Sequence, residues 1–379
     1  MLYDLLIRGG TLIDPAQGIH GERDVAFANG VVAGAGEDLQ EAEAKEVVDA
    51  RGRIVTPGLI DLHVHAFEGV SYFGVGPDAT CLAKGATTVL DAGTAGADIF
   101  PGFRKFVIDA CRTRVFALLN ISSPGMLTRD IGELENPDHA SVKKVCNSIE
   151  EHPDVILGVK VRLTKNYIVS ERAGMEPLYR AREAADATGT FIMIHPQSAW
   201  CESIDDVMAV MGERDILTHC FHNHPCGILD EHGRVRDSVR DAAERGVIFD
   251  VGHGSGSFVW EIAERALDQG LIPHTLSTDL HTGSLNGPVY DLATVVDKFL
   301  YLGMSLEDAI ARVTSVPAQA IRQESLGTLS VGSAGDAAVF EIQEGEFELQ
   351  DSPRKTRTAN RKLVPVAVVK GGCLCPGVM

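Results

Sequence analysis

Residues 55–65 read Val-Thr-Pro-Gly-Leu-Ile-Asp-Leu-His-Val-His, and the sequence changes character here. The apolar run at 59–64 predicts a buried β-strand that begins just after Pro57. Residues two apart on a strand point to the same face, so His63 and His65 can share one face at the carboxyl end of this strand. Two imidazoles so placed can bind one metal ion, although histidine pairs also occur on solvated strands.

The composition is that of an ordinary globular protein with a sizeable core. The chain has 379 residues, 45% of them hydrophobic and 23% charged, with a formal net charge of −19. An acidic surface repels phosphate backbones and anionic lipids, so we expect neither nucleic acid nor a membrane as a partner. We expect no signal peptide from residues 1–14, and the eight cysteines have no framework spacing. We therefore expect a cytoplasmic protein with reduced thiols.

After Pro57, apolar β-like runs alternate with helical stretches, which is typical of a parallel sheet with crossover helices. Eight such runs are predicted, at residues 59–64, 87–92, 115–121, 156–163, 190–194, 216–218, 247–251 and 275–277. Eight units over roughly 270 residues match the usual size of a (β/α)8 TIM barrel, an α/β fold. We assign residues 57–326 to this barrel.

Both ends of the chain have a different rhythm, with short alternating segments and frequent turns. The dipeptide Asn29-Gly30 is a strong signal for a type I′ hairpin turn. Similar short strands return after residue 326. We predict that residues 1–56 and 327–379 together form a small composite β-sandwich attached to the barrel.

Further ligand-type residues stand where predicted strands end, the edge at which barrel enzymes assemble their active sites. His195 ends the fifth run, His219 follows the sixth, and Asp279 follows the eighth. Each alone could be a hydrogen-bonded residue of the rim. Lys160 lies inside the apolar fourth run, where it is either paired or carries CO2 as a carbamate, an anionic ligand able to bridge two divalent ions.

These features together resemble the amidohydrolase superfamily, and the resemblance covers the whole chain. The opening LIRGGTLIDP (6–15), the segment VTPGLIDLHVH (55–65) and the closing LGTLSVGSAGDAAVFE (326–341) are all similar to it. The resemblance is to the subtype with two metal ions. It implies His63, His65 and Asp279 as ligands of the more buried ion, His195 and His219 as ligands of the more exposed ion, and carbamylated Lys160 as the bridge. The ligand types favour two Zn2+ ions, with manganese and iron as alternatives.

The same resemblance implies the chemistry. Two ions sharing a hydroxide supply a nucleophile at neutral pH, and Asp279 takes its proton and delivers it to the leaving group. Dihydroorotases read H-x-H-x-R at the first motif, whereas Phe67 stands at the arginine position here. The segments HVHAFEG (63–69), GVKVR (158–162) and HCFHNH (219–224) are most similar to deacetylases that are often labelled dihydroorotases.

The sequence says less about the residues that contact the substrate than about the metal ligands. Arg162 lies two residues beyond Lys160, so it can face the mouth and bind a carboxylate or support an oxyanion, or else form an ion pair at the rim. His222 follows His219 and could face the substrate or compete for the metal. His253, in a glycine-rich loop, could donate to a bound ligand.

We therefore expect a metal-dependent hydrolase that cleaves an acyl ester or amide of a small carboxylate, such as an α-hydroxy acid or an N-acyl D-amino acid. One alternative is a cyclic-amide hydrolase of the dihydroorotase or hydantoinase kind. Another is a non-catalytic scaffold with the same fold. Barrels of this kind often associate with copies of themselves, and the sequence is compatible with a homo-oligomer.

Overall fold

Two separate β-sheets organise the chain, in a computed structural model that describes residues 2–36, 39 and 43–376. The strands are β1 Tyr3–Asp14, β2 Ile19–Ala28, β3 Val31–Gly36, β4 Ala44–Asp49, β5 Ile54–Pro57, β6 Leu59–Val64, β7 Ala86–Gly96, β8 Arg114–Asn120, β9 Ile156–Arg162, β10 Phe191–His195, β11 Ile216–Leu217, β12 Ile248–Phe249, β13 Ala337–Gln350, β14 Thr356–Lys370 and β15 Cys373–Leu374.

The helices are mostly short and lie between the strands of the central sheet or follow it. They are α1 Pro77–Thr80, α2 Phe100–Phe103, α3 Val142–Glu151, α4 Glu176–Thr188, α5 Asp205–Met208, α6 Asp237–Glu244, α7 Trp260–Asp268, α8 Leu292–Tyr301, α9 Leu306–Ala311 and α10 Ser315–Ala320. Short 3-10 turns occupy Leu82–Lys84 and Pro137–His139, and a π-turn occupies Arg104–Ile108. Within the described residues, no helix has the length and apolar character needed to cross a membrane.

The central sheet contains seven strands, β6 to β12, and each pairs in parallel with the next along the chain. The first seven predicted runs fall on these strands, which confirms a curled parallel sheet. Every residue of β7 is buried, as expected for a strand covered on both faces. Because all strands run the same way, their carboxyl ends meet at one edge, and the candidate site lies there.

The eighth predicted run, residues 275–277, forms no regular strand in the described part of the chain, so that element of the prediction needs correction. Thr275 in this run makes an isolated parallel bridge to Asp250 instead, and Leu280, which follows the run, makes another to Val64 on β6. Regular pairing is interrupted within the run because the Leu276 N–H donates to the Arg312 carbonyl at 3.1 Å and not to a neighbouring strand. Beyond it, the left-handed backbone of Asp279, with φ 48°, turns the chain away.

The second sheet brings together strands from both ends of the chain. Its order is β15-β14-β13-β5-β1-β2-β3, and β4 pairs with β1. The buried Asp14 carboxylate joins the two ends, accepting from Thr328 Oγ1 at 3.0 Å and from the Leu329 N–H at 2.6 Å. Asn29 and Gly30 both have positive φ, 54° and 80°, as a type I′ turn requires. All eight cysteines are free thiols, as expected.

Candidate metal centre

Three ligand-type side chains converge at the carboxyl end of β6. His63, His65 and Asp279 are buried, and each offers one ligand atom within 4.8 Å of the others. Asp279 Oδ1 lies 3.4 Å from His63 Nε2 and 3.2 Å from His65 Nε2. The strand period places both imidazoles on one face, as the sequence predicted. This cluster has the composition and spacing of a site for a divalent metal ion.

In each of these two rings, Nε2 faces Asp279, and a threonine hydroxyl holds the other nitrogen, Nδ1. His63 Nδ1 lies 2.8 Å from Thr218 Oγ1, and His65 Nδ1 lies 2.8 Å from Thr94 Oγ1. The Thr218 hydroxyl donates its own proton to Asp250, at 2.8 Å, so it must accept from His63. His63 therefore carries its proton on Nδ1 and leaves the Nε2 lone pair for a ligand, the arrangement typical of metal-binding histidines.

A second pair of imidazoles stands beside the first. The ring of His219 has its centroid 4.9 Å from that of His63 and 4.5 Å from that of His195. His219 Nδ1 donates to the Gly252 carbonyl at 2.6 Å, which leaves its Nε2 unprotonated. His195 Nε2 lies 3.1 Å from Thr164 Oγ1. Burial lowers the pKa values of His195 and His219 well below the usual value of histidine. Both imidazoles therefore stay neutral and able to bind metal.

Lys160 is buried on β9 between the two pairs of histidines. Its Nζ lies 3.4 Å from His63 Nε2 and 3.2 Å from Met193 Sδ, and its side chain is 1% exposed. Burial lowers the pKa of the amine to about 7. An appreciable fraction of this amine is therefore uncharged near neutral pH, and the uncharged form is the one that reacts with CO2.

The donor set fits divalent cations on chemical grounds. Burial raises the pKa of Asp279 to about 6 and lowers that of His65 to about 3. A buried carboxylate beside neutral imidazoles is destabilised because it lacks a strong positive partner, and a bound cation would supply that charge. Four imidazoles, a carboxylate and a lysine amine thus share a space that suits a borderline-soft metal with nitrogen and oxygen ligands.

A cavity of about 190 Å3 opens over these groups. All seven residues that the sequence placed at the metal site or beside it line this cavity: His63, His65, Lys160, Arg162, His195, His219 and Asp279. Ser255, Gly256 and Ser257 also line the cavity, and they belong to the glycine-rich loop that the sequence indicated. The sequence did not identify the other residues of the wall, which are Phe73, Thr164, Tyr167, Ile168, Gln197 and His281. Of these, Gln197 and His281 each follow a predicted ligand by two residues, and that spacing could have found them.

Arg162 lies on the cavity wall in a buried ion pair, one of the two positions that the sequence left open. Its Nη1 donates to Glu133 Oε2 at 2.9 Å and approaches the Tyr72 hydroxyl at 3.4 Å. Burial alone would lower the pKa of the guanidinium, but the Glu133 carboxylate, Tyr72 and Asp279 together outweigh burial and hold the pKa above its usual value. Sequence reasoning missed Glu133, which lies in an irregular segment without any motif.

The structure places His253 and His222 away from the lining of this cavity. His253 is fully buried, accepts from Lys298 Nζ at Nε2 over 2.6 Å and donates from Nδ1 to the Gly254 carbonyl over 2.9 Å. His222 accepts from the backbone N–H of His224 at 3.1 Å and lines a separate surface groove. Their suggested contacts with a substrate stay predictions, and both rings would have to act through other residues.

Phe67 occupies the position at which dihydroorotases carry an arginine. The side chain is buried, and its ring centroid lies 4.8 Å from that of Phe103. It does not line the cavity. This position therefore contributes to the hydrophobic core and offers no positive charge to a substrate.

Comparisons with known proteins agree on the family and differ in the activities named. The family model described as "Amidohydrolase family" matches residues 54–374. A protein named deacetylase from Enterococcus faecalis is 35% identical over 378 residues, covering 98% of this chain and 99% of its own length. The chain is also similar to a solved adenine deaminase, with TM-score 0.91, 34% identity and coverage of 98% and 99%. A solved dihydroorotase gives TM-score 0.87, 30% identity and coverage of 98% of both chains.

Proposed function

The chain belongs to the amidohydrolase family and is a hydrolase, and we propose that it removes an acyl group, above all acetyl, from an ester or amide of a small carboxylate. Substrates of this class are α-hydroxy acids acylated on oxygen and D-amino acids acylated on nitrogen. The observation that carries the proposal is the apolar core position of Phe67 combined with an arginine, Arg162, on the wall of the cavity. The full-length deacetylase relative supports the same assignment.

The fold that we propose around this site is a complete (β/α)8 barrel. The isolated bridges of Thr275 and Leu280 would close the seven-stranded sheet between β12 and β6. We propose residues 57–326 as the barrel, and residues 1–56 with 327–379 as the composite β-sandwich. The hydrogen bonds of Asp14 to the segment after residue 326 support this division.

For the metal centre we propose two divalent ions, best Zn2+. His63, His65 and Asp279 would hold one ion, His195 and His219 the other, and a carbamate on Lys160 would lie between them. Such ions lower the pKa of water towards neutrality and so supply a nucleophile. The fixed Nδ1 protons of His63 and His219 support this ligand set, as does the buried amine of Lys160, whose pKa burial lowers to about 7.

Asp279 would carry the proton during hydrolysis. Its carboxylate lines the cavity beside His63 and His65, where a water held by a metal ion would lie. In the proposed reaction, a carboxylate oxygen of Asp279 accepts the proton of the attacking water and returns it to the leaving oxygen or nitrogen. The Arg162 guanidinium, held by Glu133, would stabilise negative charge on the wall of the cavity.

The size of the cavity supports a small substrate. Its volume of about 190 Å3 is well below the roughly 300–1,000 Å3 of pockets for drug-sized ligands. Phe73, Tyr167 and Ile168 contribute apolar surface to the lining, and polar groups such as Gln197 line it as well. Gln197 is itself held by Ser257, to which its amide donates at 2.9 Å. An acetylated hydroxy acid of a few carbons suits this mixed lining.

A panel of substrates tests the proposal. We expect zinc-loaded protein to hydrolyse O-acetyl-lactate or N-acetyl-D-alanine with a kcat/KM at least about tenfold above that for dihydroorotate or hydantoin. For dihydroorotate, the physical reason is that Phe67 stands where dihydroorotases carry an arginine for the carboxylate. For hydantoin, it is that the ring has no carboxylate for an arginine to bind. Steady-state rates on one metal-loaded preparation provide the comparison. A higher kcat/KM for either ring substrate would contradict the proposal and favour a cyclic-amide hydrolase.

A further inference from the structure

Two arginines flank the aromatic rim of the cavity, and they differ in their partners. The guanidinium carbon of Arg162 lies 5.8 Å from the ring centroid of Phe73, and that of Arg129 lies 5.4 Å from the same ring. Arg129 is also 5.4 Å from the ring centroid of Tyr72. Phe73 thus contacts both guanidinium groups. Arg162 lies in the buried wall of the cavity, whereas Arg129 is exposed to solvent.

Arg162 already has an anionic partner. Its side chain and that of Glu133 are 6% and 4% exposed, and they form an ion pair of 2.9 Å. The pair is close to neutral as a unit. A substrate carboxylate bound to Arg162 would meet the Glu133 carboxylate nearby, and like charges at short distance in a buried site repel strongly.

Arg129 has no such partner among the residues that the structure describes. It is exposed, and its contacts there are those with the Tyr72 and Phe73 rings. A guanidinium that packs against aromatic rings keeps its N–H donors available for hydrogen bonds. Arg129 therefore offers a carboxylate an unneutralised, bidentate donor beside the cavity.

The aromatic platform under Arg129 is fixed relative to the metal centre. The Thr282 N–H donates to the Phe73 carbonyl at 3.1 Å, and the Thr282 hydroxyl donates to the Tyr72 carbonyl at 3.0 Å. The Phe73 ring centroid lies 4.3 Å from that of His281 and 5.7 Å from that of His65. One aromatic ring thus lies between Arg129 and a proposed metal ligand.

We propose that Arg129 receives the carboxylate of the substrate at the rim of the cavity, while the Arg162–Glu133 pair shapes the inner wall. This inference rests on the proposed function, which supplies the carboxylate. It also accounts for how an anionic substrate approaches a chain with a formal net charge of −19, because a local cation at the mouth opposes the repulsion of the whole surface.

The test compares two substrates that differ only in charge, O-acetyl-lactate and its neutral carboxamide. In Arg129→Met, we expect KM for the acid to rise about tenfold or more. The kcat for the acid should stay nearly unchanged, and so should both kcat and KM for the amide. Rising salt should shrink the advantage of the wild type because the contact is exposed. Arg361→Met is the matched control, since Arg361 is exposed on β14, in the other sheet, and its loss should leave the acid-to-amide ratio unchanged.

An unchanged KM for the acid in Arg129→Met, or equal losses for acid and amide, would overturn the inference. A separate binding measurement keeps it independent of hydrolysis. Calorimetry of metal-loaded protein with lactate should show a Kd at least about tenfold weaker in Arg129→Met than in the wild type. If the wild type hydrolyses neither ester, the proposed function fails, and the lactate comparison alone then decides whether Arg129 binds carboxylates.

Discussion

Replacing Asp279 with asparagine is expected to lower kcat for an acetyl ester by about a hundredfold to ten-thousandfold while most of the bound metal is retained. The amide keeps an oxygen that can face His63 Nε2 and His65 Nε2, which lie 3.4 Å and 3.2 Å from the present carboxylate oxygen. It cannot accept a proton at neutral pH. The chemical step should therefore fail, even though the ligands remain in place.

Rates and metal content must be measured on the same samples of this variant. Asp297→Asn is a matched control, because Asp297 is also a buried carboxyl, with a pKa that burial raises to about 7, and accepts from the Leu363 N–H at 2.9 Å. It does not line the cavity, so its kcat should stay near that of the wild type. Nearly full turnover by Asp279→Asn would remove Asp279 from the role of proton carrier.

Replacing Lys160 with methionine is expected to remove a large part of the bound metal and to lower kcat/KM by orders of magnitude. Methionine is similar in length and apolar, so this buried position loses its amine without gaining an unpaired polar group. The change deletes the only lysine nitrogen that lines the cavity among the described residues. Without it, no carbamate can lie between the two histidine pairs.

Metal analysis and intact mass of wild type and variant decide this prediction. The wild type, expressed with zinc and bicarbonate, should show the additional mass of one CO2 group per chain when the folded protein is measured at neutral pH, and Lys160→Met should not. Lys298→Met is a matched control, because Lys298 is equally buried but contacts His253 Nε2 and the Pro288 carbonyl, away from the cavity lining. Its metal content should not change. Full metal content and activity in Lys160→Met would refute the bridging role.

The sequence predicted the parallel strands and the residues at their carboxyl ends because both follow from simple periodicities. His63 and His65 share a face through the two-residue repeat of a strand. His195 and His219 mark the points where apolar runs end. Because parallel strands end at one edge, four histidines distant in sequence could be expected to meet in space, and the structure brings them together.

Partners supplied by irregular segments could not be predicted in the same way. Glu133, which pairs with Arg162, lies outside any strand or helix, and Thr218 looked like an ordinary residue of a strand. The ring directions of His222 and His253 depend on loop conformations that have no sequence period. In the eighth run, a tertiary hydrogen bond from the Leu276 N–H to the Arg312 carbonyl competes with strand pairing, and local propensity contains no information about that competitor.

The central claim is that hydrolysis depends on metal ions held by these side chains at the carboxyl edge of the sheet. Its most direct test is to remove the metal with a chelator, add zinc back in steps, and follow both bound zinc and hydrolysis of O-acetyl-lactate. We expect no activity without metal and a plateau at about two ions per chain. Full activity in the metal-free protein, or a plateau at about one ion, would contradict the account.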